Sequence, residues 1–231
     1  MRILVLEHDP HAPACLVAQW AQERGHELEV VAATSLSSWP APDHADAVVT
    51  LGSEHSVNDA SQGWIRDEIE FLAAAHRAGV PILGICFGGQ ALSVALGGVV
   101  SRLPVAEVTW RPIETSAPEL ITPGPWLFWH EDLFTLPPGA QLIAGSESEA
   151  TAFADGASIG VQFHPEADAA VARGWINGAR DKLRASGVDV AQLEREIEHH
   201  SPAGRNLAFE LFDRIAGRWA DVAMASQPSL G

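Results

Sequence analysis

The chain reads as an α/β fold: an open, mostly parallel sheet flanked by helices, with extra β-hairpins in its middle third. Three observations predict it. Short all-apolar runs, typical of strands buried on both faces, alternate with helix-like stretches through the first hundred residues. From about 98 to 163 the pattern changes to short apolar or alternating segments split by Pro and Gly, which read as hairpins and added strands. From Asp168 onward helical patterning dominates.

Each element has its own warrant. Ile3 to Leu6 is the first buried strand, and Ala14 to Arg24 is helix-like and stopped by Gly25. Leu28 to Ala32 and Ala47 to Leu51 are strands, separated by a loop holding Pro40 and Pro42. Trp64 to His76 is the clearest helix. Its Ile65, Ile69, Leu72, Ala73 and His76 fall on one face of a 3.6-residue period. Gly79 ends that helix, and Pro81 opens the apolar run that leads to Cys86. The expected organisation is one domain over 1–225, with a disordered tail at 226–231.

At 231 residues the chain is long enough to bury a full core without staples. Its net charge of −16 argues against general nucleic-acid binding and against adhesion to anionic membranes. No apolar run approaches the length of a membrane span, and the start turns acidic within seven residues, unlike a signal peptide. Two cysteines, Cys15 and Cys86, make no disulfide framework and no metal signature. The expectation is a cytoplasmic protein with free thiols, no metal and no cofactor.

The stretch Gly84-Ile85-Cys86-Phe87-Gly88 has the Gly-x-nucleophile-x-Gly pattern of a strand-to-helix elbow. Such a corner lifts the sulfur to a helix N-terminus, where the positive dipole end favours a thiolate. It also aims the Phe87 amide at the space where an oxyanion would form. The bland alternative is a small hydrophobe in a buried strand, and spacing alone leaves both open. The nucleophile reading needs a base. The run IGVQFHPE offers His164 at a strand end, with Glu166 two residues on to orient it.

Together, PILGICFGGQ, VQFHPE and the order Cys…His-x-Glu resemble the class I (triad) glutamine amidotransferases. VVTLGSEHSVND occupies that family's oxyanion-strand position, and WHEDLFTLPPGAQLIAGSESEATAF resembles its stand-alone, GMP-synthase-like branch. The resemblance implies a flavodoxin-like core and hydrolysis of the glutamine γ-amide through a γ-glutamyl thioester. It makes Cys86 the nucleophile, His164 the base and then acid, and Glu166 its orienting residue. It gives the oxyanion to the amides of Phe87 and of Gly52 or Ser53. It gives the substrate a contact from Gln90 and another from the segment of His130.

Three departures stand out. Ser53 replaces a glycine and would be strained if that position took positive φ. Gly89 replaces a common histidine, which alters the expected pocket wall, and Thr109 replaces a glycine.

The implied partners are glutamine or another γ-glutamyl small molecule, and a separate synthetase subunit that takes the ammonia. The alternatives are a free-standing hydrolase of γ-glutamyl amides or peptides with the same triad, or a non-catalytic binding relative. Elsewhere the bland readings prevail. Trp64, Trp129 and Trp175 read as core, and Glu194, Glu196, Glu198, His199 and His200 as a solvated helix face. Asp9 and His11 read as caps of the first helix, and Cys15 as buried and inert.

Overall fold

The short apolar runs become the centre of one nine-stranded sheet in the computed structural model, which describes residues 1–225, with side chains through 222. The expected disordered tail, 226–231, lies outside the described residues. Strands β1 (Arg2–Glu7), β2 (Glu27–Ala32), β3 (Ala47–Thr50), β4 (Ile82–Ile85) and β9 (Ser158–Val161) pair in parallel in the order β2-β1-β3-β4-β9. Antiparallel pairing then extends the sheet through β8 (Ala150–Asp155), β6 (Trp126–Phe134) and β5 (Val100–Arg111). Strand β7 (Gln141–Gly145) pairs with β8 off that path. The hairpin-rich middle third is therefore the antiparallel half of the sheet.

Helices α1 (Cys15–Glu23), α2 (Gly63–Arg77), α3 (Phe87–Ala95), α4 (Ala169–Ala185) and α5 (Val190–Ala225) cover it. Strand β1 shows why both faces need cover. Ile3 and Val5 point into a cluster with Leu16, Trp20, Phe212 and Ile215, whereas Leu4 and Leu6 point into another with Phe71, Leu72 and Leu92. Each such fully buried side chain contributes roughly 1.5–3 kcal/mol. A third cluster seats Ile176 and Leu183 of α4 and Leu193 and Ile197 of α5 around Leu127 of β6.

The expected buried face of α2 needs correction. Its buried residues are Ile65, Glu68, Phe71, Leu72 and Ala75, whereas Ile69, Ala73 and His76 are only half-buried. The helix is turned so that a glutamate faces the sheet. Two expectations near α1 also change. Asp9 does not cap α1: its carboxylate accepts from the His11 N–H (2.7 Å) and closes a local turn. Cys15 opens α1 with φ +35° and is half-buried rather than buried.

Candidate active site

Strand β4 ends at Ile85, and Cys86 turns the chain into α3 with φ +53° and ψ −108°. Among the described residues it shares positive φ with only one other non-glycine, Cys15. Holding a side chain there costs about 1–3 kcal/mol, so the surroundings must impose it. They do. A Cβ on Gly84 would lie 2.4 Å from the Gly88 carbonyl oxygen, and a Cβ on Gly88 would lie 2.1 Å from that of Thr50. The Cys86 N–H donates to Val161 O (2.8 Å) and that of Gly88 to Leu51 O (3.0 Å), tying the elbow to β9 and to the end of β3.

His164 follows β9 and is anchored by its own N–H to Leu127 O (2.8 Å). Its Nδ1 lies 2.7 Å from Glu166 Oε1, and its Nε2 lies 3.3 Å from the carbonyl oxygen of Trp129. Both ring nitrogens thus face acceptors. Burial pushes the His164 pKa down, but the charges of Glu166 and Cys86, with a hydrogen bond to each, outweigh it and hold it well above 6.5. Cys86, His164 and Glu166 therefore meet, although 76 residues separate Cys86 even from Gln162 at the end of β9. The Trp175 ring packs edge-on against His164 with centroids 4.8 Å apart, which holds the imidazole plane.

Two groups that the sequence does not single out touch the sulfur region. The Trp129 carbonyl lies 3.8 Å from Cys86 Sγ, and Gln162 Nε2 donates to that sulfur (3.6 Å). The amide orientations follow from one fixed point. The Asp132 carbonyl can only accept, so Gln90 presents Nε2 to it (3.0 Å). The same Nε2 faces Gln162 Oε1 (3.4 Å), which leaves the Gln162 amide nitrogen for the sulfur. Gln90 is thus buried in a chain of contacts that ends at Cys86.

The remaining expected site residues surround this centre. Gly52 is buried, and a Cβ there would lie 3.2 Å from His164 Cε1, so the oxyanion strand passes directly beside the imidazole. Ser53 does not take positive φ, which removes the strain expected of it. Its hydroxyl accepts from the His55 N–H (3.2 Å). Among the described residues the N–H groups of Ser53 and Phe87 carry no hydrogen bond, as an oxyanion site requires. Gly89 does not shape a pocket wall: a Cβ there would lie 2.6 Å from Val161 O, in the α3–β9 packing.

The His130 side chain is turned away from the sulfur. Its Nε2 meets Glu107 Oε2 and its Nδ1 meets Asp132 O, each at 2.9 Å. Burial would raise the Glu107 pKa, but His130 and Arg111 outweigh it and bring it down to about 2.

The chain matches the family model described as glutamine amidotransferase class-I over residues 15–174. It belongs to the class I glutamine amidotransferases. A GMP synthase (glutamine-hydrolyzing) of Aeropyrum pernix is 34% identical over 162 residues, covering 66% of this chain and 30% of that protein. The chain thus spans under a third of that relative's length. A glutamine amidotransferase-like protein of Gibberella zeae is 26% identical, covering 86% of this chain and 83% of the relative.

Solved structures agree on the amidotransferase fold. One from Thermotoga maritima superposes with a TM-score of 0.81 at 24% identity, covering 93% of this chain and 97% of that one. Another from Methylobacillus flagellatus gives 0.84 at 22%, covering 94% of each. No helix among the described residues is long and apolar enough to cross a membrane.

Proposed function

We propose that this amidotransferase hydrolyses the side-chain amide of glutamine at Cys86. The observation that carries the reading is the line Cys86, His164, Glu166 beside two N–H groups, those of Phe87 and Ser53, that have no partner among the described residues. The Cys86 thiolate, its proton held on His164, attacks the γ-carbonyl, and the carbonyl oxygen gains the negative charge between those two amides. His164 then gives the proton to the departing nitrogen, so ammonia leaves and a γ-glutamyl thioester remains. His164 takes a proton from water, the hydroxide attacks the thioester, and glutamate is released with the thiolate–imidazolium pair restored. Glu166 holds the Nδ1 proton throughout, so that only Nε2 exchanges protons with the reacting atoms.

Gln90 is proposed to order the sulfur through Gln162 as well as to border the substrate, and the backbone at His130 to border the substrate's far end. The likeness to part of a GMP synthase supports delivery of the ammonia to a separate synthetase.

The test is the intact mass after treatment with the γ-glutamyl-mimicking diazoketone 6-diazo-5-oxo-norleucine. One adduct, slowed by glutamine and lost in Cys86→Ala, is the expected result. No adduct on folded protein, with no turnover of glutamine, would overturn the glutamine reading. Turnover of larger γ-glutamyl amides in that case would favour a free-standing hydrolase.

A further inference from the structure

A second buried histidine–carboxylate pair lies beside the oxyanion strand and has no part in the proton transfers above. His8, one residue past β1, puts Nε2 2.8 Å from Glu68 Oε2 of α2, and both side chains are fully buried. The other Glu68 oxygen accepts from the Thr50 hydroxyl (2.6 Å). His8 Nδ1 lies 3.2 Å from the carbonyl oxygen of Gly52. The ring packs between Trp64, with centroids 5.2 Å apart, and Phe87, at 4.9 Å. One side chain therefore touches both residues that flank the oxyanion site on its two sides, Gly52 on the strand and Phe87 on the elbow.

We propose that His8 is a positioning residue for the oxyanion site, its Nδ1–H fixing the Gly52 carbonyl and thereby the direction of the Ser53 N–H. The link between the two groups is covalent. Gly52 C=O and Ser53 N–H belong to one planar trans peptide and point in opposite directions. A donor that holds the carbonyl from behind aims the amide from the front. Glycine at 52 adds no side chain to restrain that plane, so an outside hydrogen bond is what can fix it.

The carbonyl only accepts, so Nδ1 carries a proton. Glu68, itself held by Thr50, keeps a partner on Nε2. Burial pushes the His8 pKa down, but Glu68, Gly52 and Glu7 outweigh it and leave it above 6.5. A buried ion pair is a poor way to gain stability, since apolar residues of the same volume often serve as well or better. Placement beside the oxyanion strand gives this one a use.

The inference rests on the hydrolytic reading above, and its test separates the two. In His8→Gln the amide can still reach Glu68 but not Gly52; in His8→Asn it reaches Gly52 in place of Nδ1. His8→Gln should lower kcat for glutamine about 10–100-fold with KM little changed, against about 10²–10³-fold for losing an oxyanion donor outright. His8→Asn should restore most of that loss. Alkylation of Cys86 by iodoacetamide, which builds no oxyanion, should stay within about twofold of wild type in both variants.

Equal kcat in His8→Gln and wild type would overturn the proposal, as would alkylation that falls in step with kcat, or His8→Asn as slow as His8→Gln. Nitrogen-15 NMR of the wild-type imidazole decides the case where His8→Gln does not fold or where wild type turns over no γ-glutamyl substrate. A proton on His8 Nδ1 is required, and its absence overturns the clamp whatever becomes of the hydrolytic reading.

Discussion

Two buried histidine–glutamate pairs border this site, and their ion-pair geometry is nearly the same. His164 meets Glu166 at 2.7 Å and His8 meets Glu68 at 2.8 Å, and burial is outweighed in both so that each imidazole is held above its ordinary pKa. What separates them is the far ring nitrogen. In His164 it faces the Trp129 carbonyl beside the Cys86 sulfur, the group proposed to give up and regain a proton. In His8 it faces the Gly52 carbonyl, which never does. The same pair can thus serve proton transfer or fixed geometry, and the partner across the ring decides which.

The largest effects fall on the first pair and its sulfur. Cys86→Ala should reduce glutamine hydrolysis by on the order of 10⁴-fold or more in steady-state assays, with the fold retained by circular dichroism. His164→Ala should cost about 10²–10⁴-fold, the span of general acid–base catalysis. Activity surviving either change at wild-type level would mean that the proton-transferring pair has been misplaced.

The two glutamates sharpen the contrast. In the proposed mechanism Glu166 stabilises a charge that comes and goes on His164 in each turnover, whereas the charge on His8 need not change. Glu166→Gln should slow kcat by roughly 10–100-fold, less than His164→Ala, because a glutamine oxygen can still accept from Nδ1. Glu68→Gln should slow it by no more than about threefold, since the amide introduced there can donate to His8 Nε2 and leave the proton on Nδ1. Equal losses in the two variants, measured side by side, would erase the distinction between the pairs.

Gly52 lies between the pairs, and crowding it should act on both. A methyl there would sit 3.2 Å from His164 Cε1, so the ring or the strand must give by a few tenths of an ångström. Gly52→Ala should lower kcat roughly tenfold, since small displacements of reacting groups are enough to do so. A fully active Gly52→Ala enzyme would show that the strand moves freely and does not help to define the site.

The two pairs also differ in how legible they were. His164 and Glu166 are two residues apart in one strand-end motif, and Cys86 stands between glycines, a pattern that alone leaves nucleophile and core residue open. The parallel strands and the helices between them followed from apolar runs and glycine stops. Glu68 was hidden because apolar patterning counts a glutamate as surface. Placing His76 on the buried face instead turned α2 by most of a residue spacing. The helix can bury Glu68 only because His8 and Thr50, 60 and 18 positions away, satisfy both its oxygens. The Trp129 carbonyl and Gln162 amide beside the sulfur depend on how β6 and β9 come together. Pairings across the sheet of that kind leave no periodic trace in the chain.

The smallest expected effect concerns the other cysteine, which starts a helix as Cys86 does but has no imidazole. Cys15 also has positive φ and lies near Glu166, with Asp168 in hydrogen-bonding reach. Burial, chiefly, pushes its thiol up to about 11; the Asp168 backbone opposes it, and the charges of Asp168 and Glu166 add smaller upward pushes. A helix start and an unusual backbone are therefore not enough to make a reactive sulfur when the nearby charges are negative. Cys15→Ser should leave glutamine turnover unchanged. In the Cys86→Ala protein, alkylation of Cys15 by iodoacetamide should be slow at pH 7 and rise about tenfold per unit between pH 8 and 10, following the thiolate fraction. A plateau near the ordinary thiol value of about 8.5 would show that Cys15 feels neither burial nor the two carboxylates. Asp168 and Glu166 would then be screened from it, and the difference between the two cysteines would rest on the elbow and on His164.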